Sequence, residues 1–358
     1  MNRWDSWDES RARVRPNKRG SRPRTKETPD YSHAELARVV QVDRGRYTCF
    51  IEATGSAPER VVTAMRAKAL RRSPVVPGDI VRLVGDTTAA TGTLARLVRI
   101  EERHTLLRRS ADDTDEAERV IVANADQLLI VVASAEPAPR TGFVDRALAA
   151  AYDAGVKPIL LITKADLAPN PADPAGLVTH YAELDLPIVI SGHEERQQLS
   201  PAALDQLRTI LAAQVTVLIG HSGVGKSTIV NALTGADRAT GGVNAVTGRG
   251  RHTSSSAVAL RVPPDGWVVD TPGVRSFGLA HVHPDDVLGA FEDLVEGSAS
   301  CEPGCRHESP SGGCALDEWV AGGHAGRHGP ARLASLRSLL HSLAGSPEDE
   351  SEKRLGAP

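Results

Sequence analysis

The stretch Val215-Thr216-Val217-Leu218-Ile219-Gly220-His221-Ser222-Gly223-Val224-Gly225-Lys226-Ser227-Thr228 decides the architecture of this 358-residue chain. An apolar run reads as a buried strand, and a Gly-x₄-Gly-Lys-Ser loop follows it. Ile229-Val230-Asn231-Ala232-Leu233 then opens a helical pattern. Strand, glycine-rich loop and helix in that order let backbone N–H groups close around a phosphate while the helix turns its positive end to the anion. Residues 220–228 are therefore read as the phosphate contact. Lys226 bridges the β and γ phosphates, and the Ser227 hydroxyl sits on Mg²⁺. A chance glycine-rich turn is the competing reading, and the flanking strand and helix argue against it. Taken alone, the loop does not separate ATP from GTP.

Other apolar runs point to the same site. Gln127–Val132, Pro158–Ile162, Pro187–Ile190 and Trp267–Val269 read as further strands, with an amphipathic stretch over Val144–Ala154. A continuous apolar run fits a strand buried on both faces of a parallel sheet. Open sheets of this kind bind ligands beyond the carboxyl ends of their strands. Thr163-Lys164-Ala165-Asp166 follows the Pro158–Ile162 run. The Asp166 carboxylate can accept two hydrogen bonds from guanine N1–H and N2–H₂, where adenine offers an acceptor and a C–H. Lys164 lies over the purine, and Ala165 belongs to the same tetrapeptide. Ser191-Gly192, after the next strand, offers a backbone contact to guanine O6, with Ser191 named for it. Asp270-Thr271-Pro272-Gly273 supplies a carboxylate for Mg²⁺ through water and, at Gly273, an N–H for the γ-phosphate. Between them lies Gly248-Arg249-Gly250-Arg251-His252-Thr253, a switch-like segment. Thr253 completes the Mg²⁺ shell there. His252 is either the group that positions the attacking water or a bystander. Val274, after Asp-x-x-Gly, cannot orient water as a glutamine would, so intrinsic hydrolysis is expected to be slow. The base reader thus precedes the phosphate loop, the reverse of the usual GTPase order, as if the chain had been cut and rejoined elsewhere.

Upstream, Ala37–Val42, Tyr47–Ile51, Asp79–Val84 and Gly92–Val98 are short alternating runs broken by turns, as in a small β-barrel. An OB-fold is the version read here, with Arg60, Arg66, Lys68, Arg71 and Arg72 between strands as an RNA-facing surface. A merely solvated charged face is the alternative. Residues 10–26 hold eight Lys/Arg and no acid, which suits either a flexible arm on RNA phosphates or a solubilising tail. The net charge of −3 announces no nucleic-acid binder by itself. No apolar run approaches the roughly eighteen residues of a membrane span, no leader is seen, and four cysteines suit a reduced compartment. A cytoplasmic protein is expected, and nothing demands more than a monomer.

Cys301-x₃-Cys305-x-His307-x₆-Cys314 offers four ligands suited to one structural Zn²⁺ per chain. The competing reading is unmetallated cysteine in a loose insert. A helix is expected from Gly329 to Ala344. The domain expectation is a basic tail over 1–34, the OB-fold RNA-binding domain over 35–110 and a circularly permuted α/β P-loop GTPase domain over 111–282. A helical zinc-binding domain over 283–345 and an acidic tail over 346–358 follow.

Together, Gly-His-Ser-Gly-Val-Gly-Lys-Ser-Thr (220–228), Gly-Arg-His-Thr (250–253) and Asp-Thr-Pro-Gly-Val-Arg-Ser-Phe-Gly-Leu (270–279) resemble the ribosome small subunit-dependent GTPase A (RsgA) family. The resemblance covers roughly residues 36–340. It implies a GTP hydrolase that uses Mg²⁺, binds the 30S subunit and its 16S rRNA, is stimulated by it, and acts late in its maturation. Two departures stand out: Thr163 where the family usually has Asn, and cysteine spacing other than Cys-x₄-Cys-x-His-x₅-Cys, which bears first on Cys301. An ATPase or small-molecule kinase is disfavoured by Asp166, while an RNA-binding module that keeps GTP as a structural ligand stays open. The chain order also suggests that the nucleotide state repositions the C-terminal region while the barrel stays anchored.

Overall fold

The computed structural model describes residues 31–55, 57–70, 73–110, 118–194, 198–235, 257–271, 284–308 and 313–343. The tails, Arg71, Arg72, His252, Thr253, Gly273 and Val274 lie outside these.

Strands β1 (Glu35–Asp43), β2 (Arg46–Ile51), β3 (Arg60–Arg66), β4 (Ile80–Gly85) and β5 (Ala95–Ile100) pair in the order β1-β2-β3-β5-β4, and β4 returns to β1. The closed five-stranded ring is OB-like. Its interior takes alternate residues, including Val39, Cys49, Val62, Val81 and Leu97, as the two-residue side-chain period requires. Burial pushes the Cys49 thiol up to about 12, so it packs as a small apolar group.

One strand differs from the sequence reading. Arg60 and Arg66 end β3 rather than lying between strands, because Val62 and Ala64 face inward at period two. Their guanidinium groups are engaged: Arg60 pairs with Glu35 and donates to Thr87 O at 2.7 Å, and Arg66 donates to Ser73 O at 2.8 Å. Lys68 lies in a short 3₁₀ turn, Lys68–Leu70.

The ribbon β6 (Leu106–Ser110) and β7 (Glu118–Ala123) leads into the second layer. There β8 (Gln127–Ala133), β9 (Lys157–Thr163), β10 (Ile188–Ile190), β13 (Val215–Ile219) and β15 (Gly266–Asp270) form a parallel sheet in the order β10-β9-β8-β13-β15, with β14 (Val258–Val262) antiparallel at the far side. The hairpin β11 (His193–Glu194) and β12 (Gln198–Leu199) follows β10. All of β8 and β13 is buried. From β8 the chain winds one way through β9 to β10, and from β13 it winds the other way to β15. That reversal creates a crevice at the carboxyl ends of β8 and β13.

Helix α1 (Thr141–Asp153) covers one face with α2 (Leu177–Tyr181), while α3 (Pro201–Leu211) and α4 (Lys226–Thr234) cover the other. The C-terminal helices α5 (Pro284–Leu288), α6 (Glu292–Ser298), α7 (Ala315–Ala321) and α8 (Gly329–Leu343) share α1's apolar core, through Val287, Phe291, Leu294, Leu316, Leu336 and Leu340. Arg332 of α8 donates to Asp293 at 2.9 Å and to Glu183 O at 2.6 Å, tying helix to sheet layer. Among the described residues no helix is long and apolar enough to cross a membrane.

Candidate nucleotide site and metal centre

The phosphate-loop residues run from the end of β13 into α4. Two glycines are dictated by geometry. A Cβ on Gly220 would lie 2.4 Å from Val131 O of β8, and Gly225, which caps α4, has a φ of +100°. A larger residue at 220 would push the loop away from the sheet, and one at 225 would strain the helix entry. Lys226 Nζ folds onto its own loop, donating to Gly220 O and to His221 O at 2.8 Å. Ser227 is exposed and Thr228 half-buried in the first turn of α4. His221 packs its ring 4.4 Å from Phe143 of α1.

At the end of β9, Thr163 is buried, with its hydroxyl 2.8 Å from Val224 O and 3.3 Å from Val132 O. Thr163, which the sequence places in the guanine-binding tetrapeptide, therefore reaches inward and braces the phosphate loop. Lys164 adopts a positive φ of 56° and donates to Glu136 O. Ala165 N–H donates to Ser191 O at 3.1 Å, which welds the tetrapeptide to the next strand end. Asp166 is exposed at the lip, and Gly192 backs onto it: a Cβ there would sit 3.5 Å from Oδ1. Ser191 N–H is committed to Ile162 O at 2.9 Å.

Asp270 ends β15 beside β13, in register with Leu218, and Thr271 Oγ1 donates to Leu218 O at 2.8 Å. Asp270 and the loop that starts after Ile219 thus share one sheet margin. Sequence reasoning missed Ser134 and Glu136, which follow β8. Ser134 Oγ donates to Lys164 O at 2.5 Å, and Ser134 N–H to Thr163 O at 2.9 Å. Their one sequence signal is position after a buried strand, for Ser-Ala-Glu-Pro carries no nucleotide motif.

The four metal-type ligands converge as well. Cys301 Sγ and Cys305 Sγ lie 3.5 Å from His307 Nδ1, and Cys314 Sγ lies 3.6 Å from it. All four ligand atoms fall within 4.8 Å of one another. A tetrahedral ion with Zn–S near ~2.3 Å and Zn–N near ~2.05 Å gives an S···N edge of about 3.6 Å. The cluster has that dimension, so it could hold one ion, and Cys301 stands in it despite the altered spacing. Burial lowers the His307 pKa, which favours the neutral imidazole a metal needs. Burial, with the neighbouring thiols, pushes Cys314 up to about 11. Arg337 of α8 spans the cluster's outer side, bidentate to Asp317 at 2.7–2.8 Å and donating to His307 O at 3.2 Å.

The model of the RsgA GTPase family matches residues 100–280, just over half of the chain. The chain belongs to the RsgA GTPase family. Its curated relatives include "Small ribosomal subunit biogenesis GTPase RsgA" of Pseudomonas aeruginosa (strain LESB58), 38% identical over 227 residues, which cover 62% of this chain and 64% of that one. The protein of the same name from Azotobacter vinelandii is 37% identical over 235 residues, 64% of each chain. The chain thus spans just under two thirds of the length of the RsgA relatives it matches. Among solved structures it is similar to YjeQ from Thermotoga maritima (TM-score 0.60, 22% identity, 87% of this chain and 99% of that chain). It is similar also to YloQ, described as a circularly permuted GTPase (TM-score 0.60, 20% identity, 88% and 96%). Both are likenesses of fold alone.

Proposed function

We propose that this chain hydrolyses GTP to GDP and phosphate, binds the 30S ribosomal subunit through 16S rRNA, turns over faster there, and assists late subunit maturation. The observation that carries this is convergence: fragments at the ends of β9, β10, β13 and β15 meet at one sheet margin, in the permuted order of a family of subunit-biogenesis GTPases. Lys226, with backbone N–H groups of 220–228, holds the phosphates. Asp166 and Gly192 read guanine. Ser227, Thr253 and, through water, Asp270 hold Mg²⁺, and Gly273 meets the γ-phosphate. His252 positions the attacking water, a role Val274 cannot fill. One Zn²⁺ per chain on Cys301, Cys305, His307 and Cys314 has no open position and is structural. The working unit is a monomer in the cytoplasm, with domains at 35–110, 111–282 and 283–345.

Phosphate release titrated with mature and immature 30S particles tests this. Slow turnover that rises with 30S is expected. Turnover unchanged by 30S would leave a GTP-holding RNA-binding module instead.

A further inference from the structure

Among the described residues, the barrel strands pair with the nucleotide sheet through the β14–β15 hairpin. Gln41 of β1 pairs with Val258 of β14, Val258 pairs with Asp270 of β15, and Asp270 pairs with Leu218 of β13. A single transverse row of backbone thus runs from the barrel through the proposed Mg²⁺ carboxylate to the strand that feeds the phosphate loop. Side chains lock the same joint. Trp267, three positions before Asp270, meets Phe50 of β2 edge-on with ring centroids 5.1 Å apart. The Arg38 guanidinium of β1 lies 5.7 Å over the Trp267 ring. Arg261 of β14, opposite Trp267 in register, pairs with Glu59 and sits 5.5 Å over the Phe50 ring.

The joint is firm at these points and hollow beside them. A cavity of about 380 Å³ is lined by Arg38, Glu52 and Glu101 of the barrel, by His104 and Asp126 of the connector, and by Trp267. Arg38 Nε and Nη1 are buried there without a hydrogen bond among the described residues. Its charge is balanced at a distance by Glu52 and Asp126. Two of its three guanidinium nitrogens thus have no hydrogen bond to break when the ring shifts, and the ring face holds the cation without a fixed direction. The cavity gives it room to do so, where a close-packed joint would resist.

We propose that the barrel acts on the nucleotide site through the β14–β15 hairpin, with Arg38, Gln41, Arg261 and Trp267 as positioning residues that couple what the barrel binds to the placement of Asp270. This rests on the proposed small-subunit-stimulated hydrolysis and supplies its route. In the sequence the hairpin lies between Thr253, proposed for Mg²⁺, and Gly273, proposed for the γ-phosphate. A displacement of the barrel therefore reaches both through one rigid pair of strands, and linkage requires the reverse: the nucleotide state biases the barrel.

The full chain tests this in four forms: wild type, Arg38→Gln, Arg38→Lys and Arg261→Gln. Intrinsic phosphate release and 30S affinity should stay within about twofold of wild type in every form, while 30S-stimulated release falls by about tenfold or more in the two Gln variants. Arg38→Lys, which keeps a cation over the indole, should retain much of the stimulation. In wild type, amide exchange over residues 38–51 should differ between GDP and a non-hydrolysable GTP analogue, and the difference should vanish in the Gln variants. The coupling is overturned if stimulation survives in both, if it falls only in proportion to 30S affinity, or if wild-type exchange in the barrel ignores the nucleotide. Should Arg38→Gln not fold, Arg261→Gln at its half-exposed site carries the same comparison. Absence of any wild-type stimulation would instead sink the functional reading, and the exchange experiment would still decide the coupling.

Discussion

Thr163 shows how one side chain can sit inside a motif and do another job. Its hydroxyl reaches Val224 O across the intervening strand β8, so base reader and phosphate loop are joined before any ligand arrives. Thr163→Val keeps the shape and removes the donor, leaving a buried carbonyl short of a partner at a cost of ~1–3 kcal/mol. Thermal unfolding should show that loss, GDP affinity should fall with it, and Thr163→Ser should restore both. Asp166→Asn acts on the base instead. Losing two charge-assisted bonds at ~1.5–3 kcal/mol each weakens GTP by ~10²–10⁴-fold. XTP binding should improve, and competition between the two nucleotides measures both; an unchanged preference would remove Asp166 as the reader. The sequence made Asp166 a candidate because the role proposed for its carboxylate needs only the motif itself. It could not show Thr163's true partner, since that contact depends on two strand ends being brought together by the sheet.

At the scale of elements, the buried strands were readable because continuous apolar runs have few alternatives in an α/β sheet. Strand β3 was hidden by its terminal arginines, and β14 by Arg261 within a five-residue strand. Helix α3 carries a start signal in Ser200 before Pro201: the Ser200 hydroxyl accepts from Ala203 N–H at 3.4 Å. The loop from β13 into α4 tolerates little. Gly220→Ala sets a methyl against Val131 O, so nucleotide affinity and melting temperature should drop together in titration and calorimetry. On α1, Asp145 is buried and accepts from Tyr181 at 2.9 Å, and desolvation raises its pKa. A carboxyl whose folded pKa lies above its unfolded value destabilises the fold above that folded pKa, and the penalty disappears below the ordinary value of about 3.9. Asp145→Asn should therefore raise the melting temperature near neutrality and lose that advantage in acid, as a pH series of melts would record.

For the molecule as a whole, chain order alone pointed to the C-terminal side as the part that answers the nucleotide. Packing adds the barrel as a second part that can answer it. Helices α5, α6 and α8 share one apolar core with α1, and Val40 and Phe50 of the barrel join it, with a cavity beside the β14–β15 hairpin. Leu336→Ala in α8 should cost ~2–5 kcal/mol and lower the stability of the sheet layer together with that of the zinc region, visible as a single denaturation transition. Two separate transitions would mean the C-terminal helices are an independent unit. The antiparallel strand β14 has a further consequence. Its outer margin meets the barrel at Val258, paired with Gln41 of β1, and at Arg261, paired with Glu59, and an open strand margin is a template for pairing with another chain. The barrel therefore also serves as a shield: a truncated protein starting after it would carry a bare ribbon edge and tend to clump.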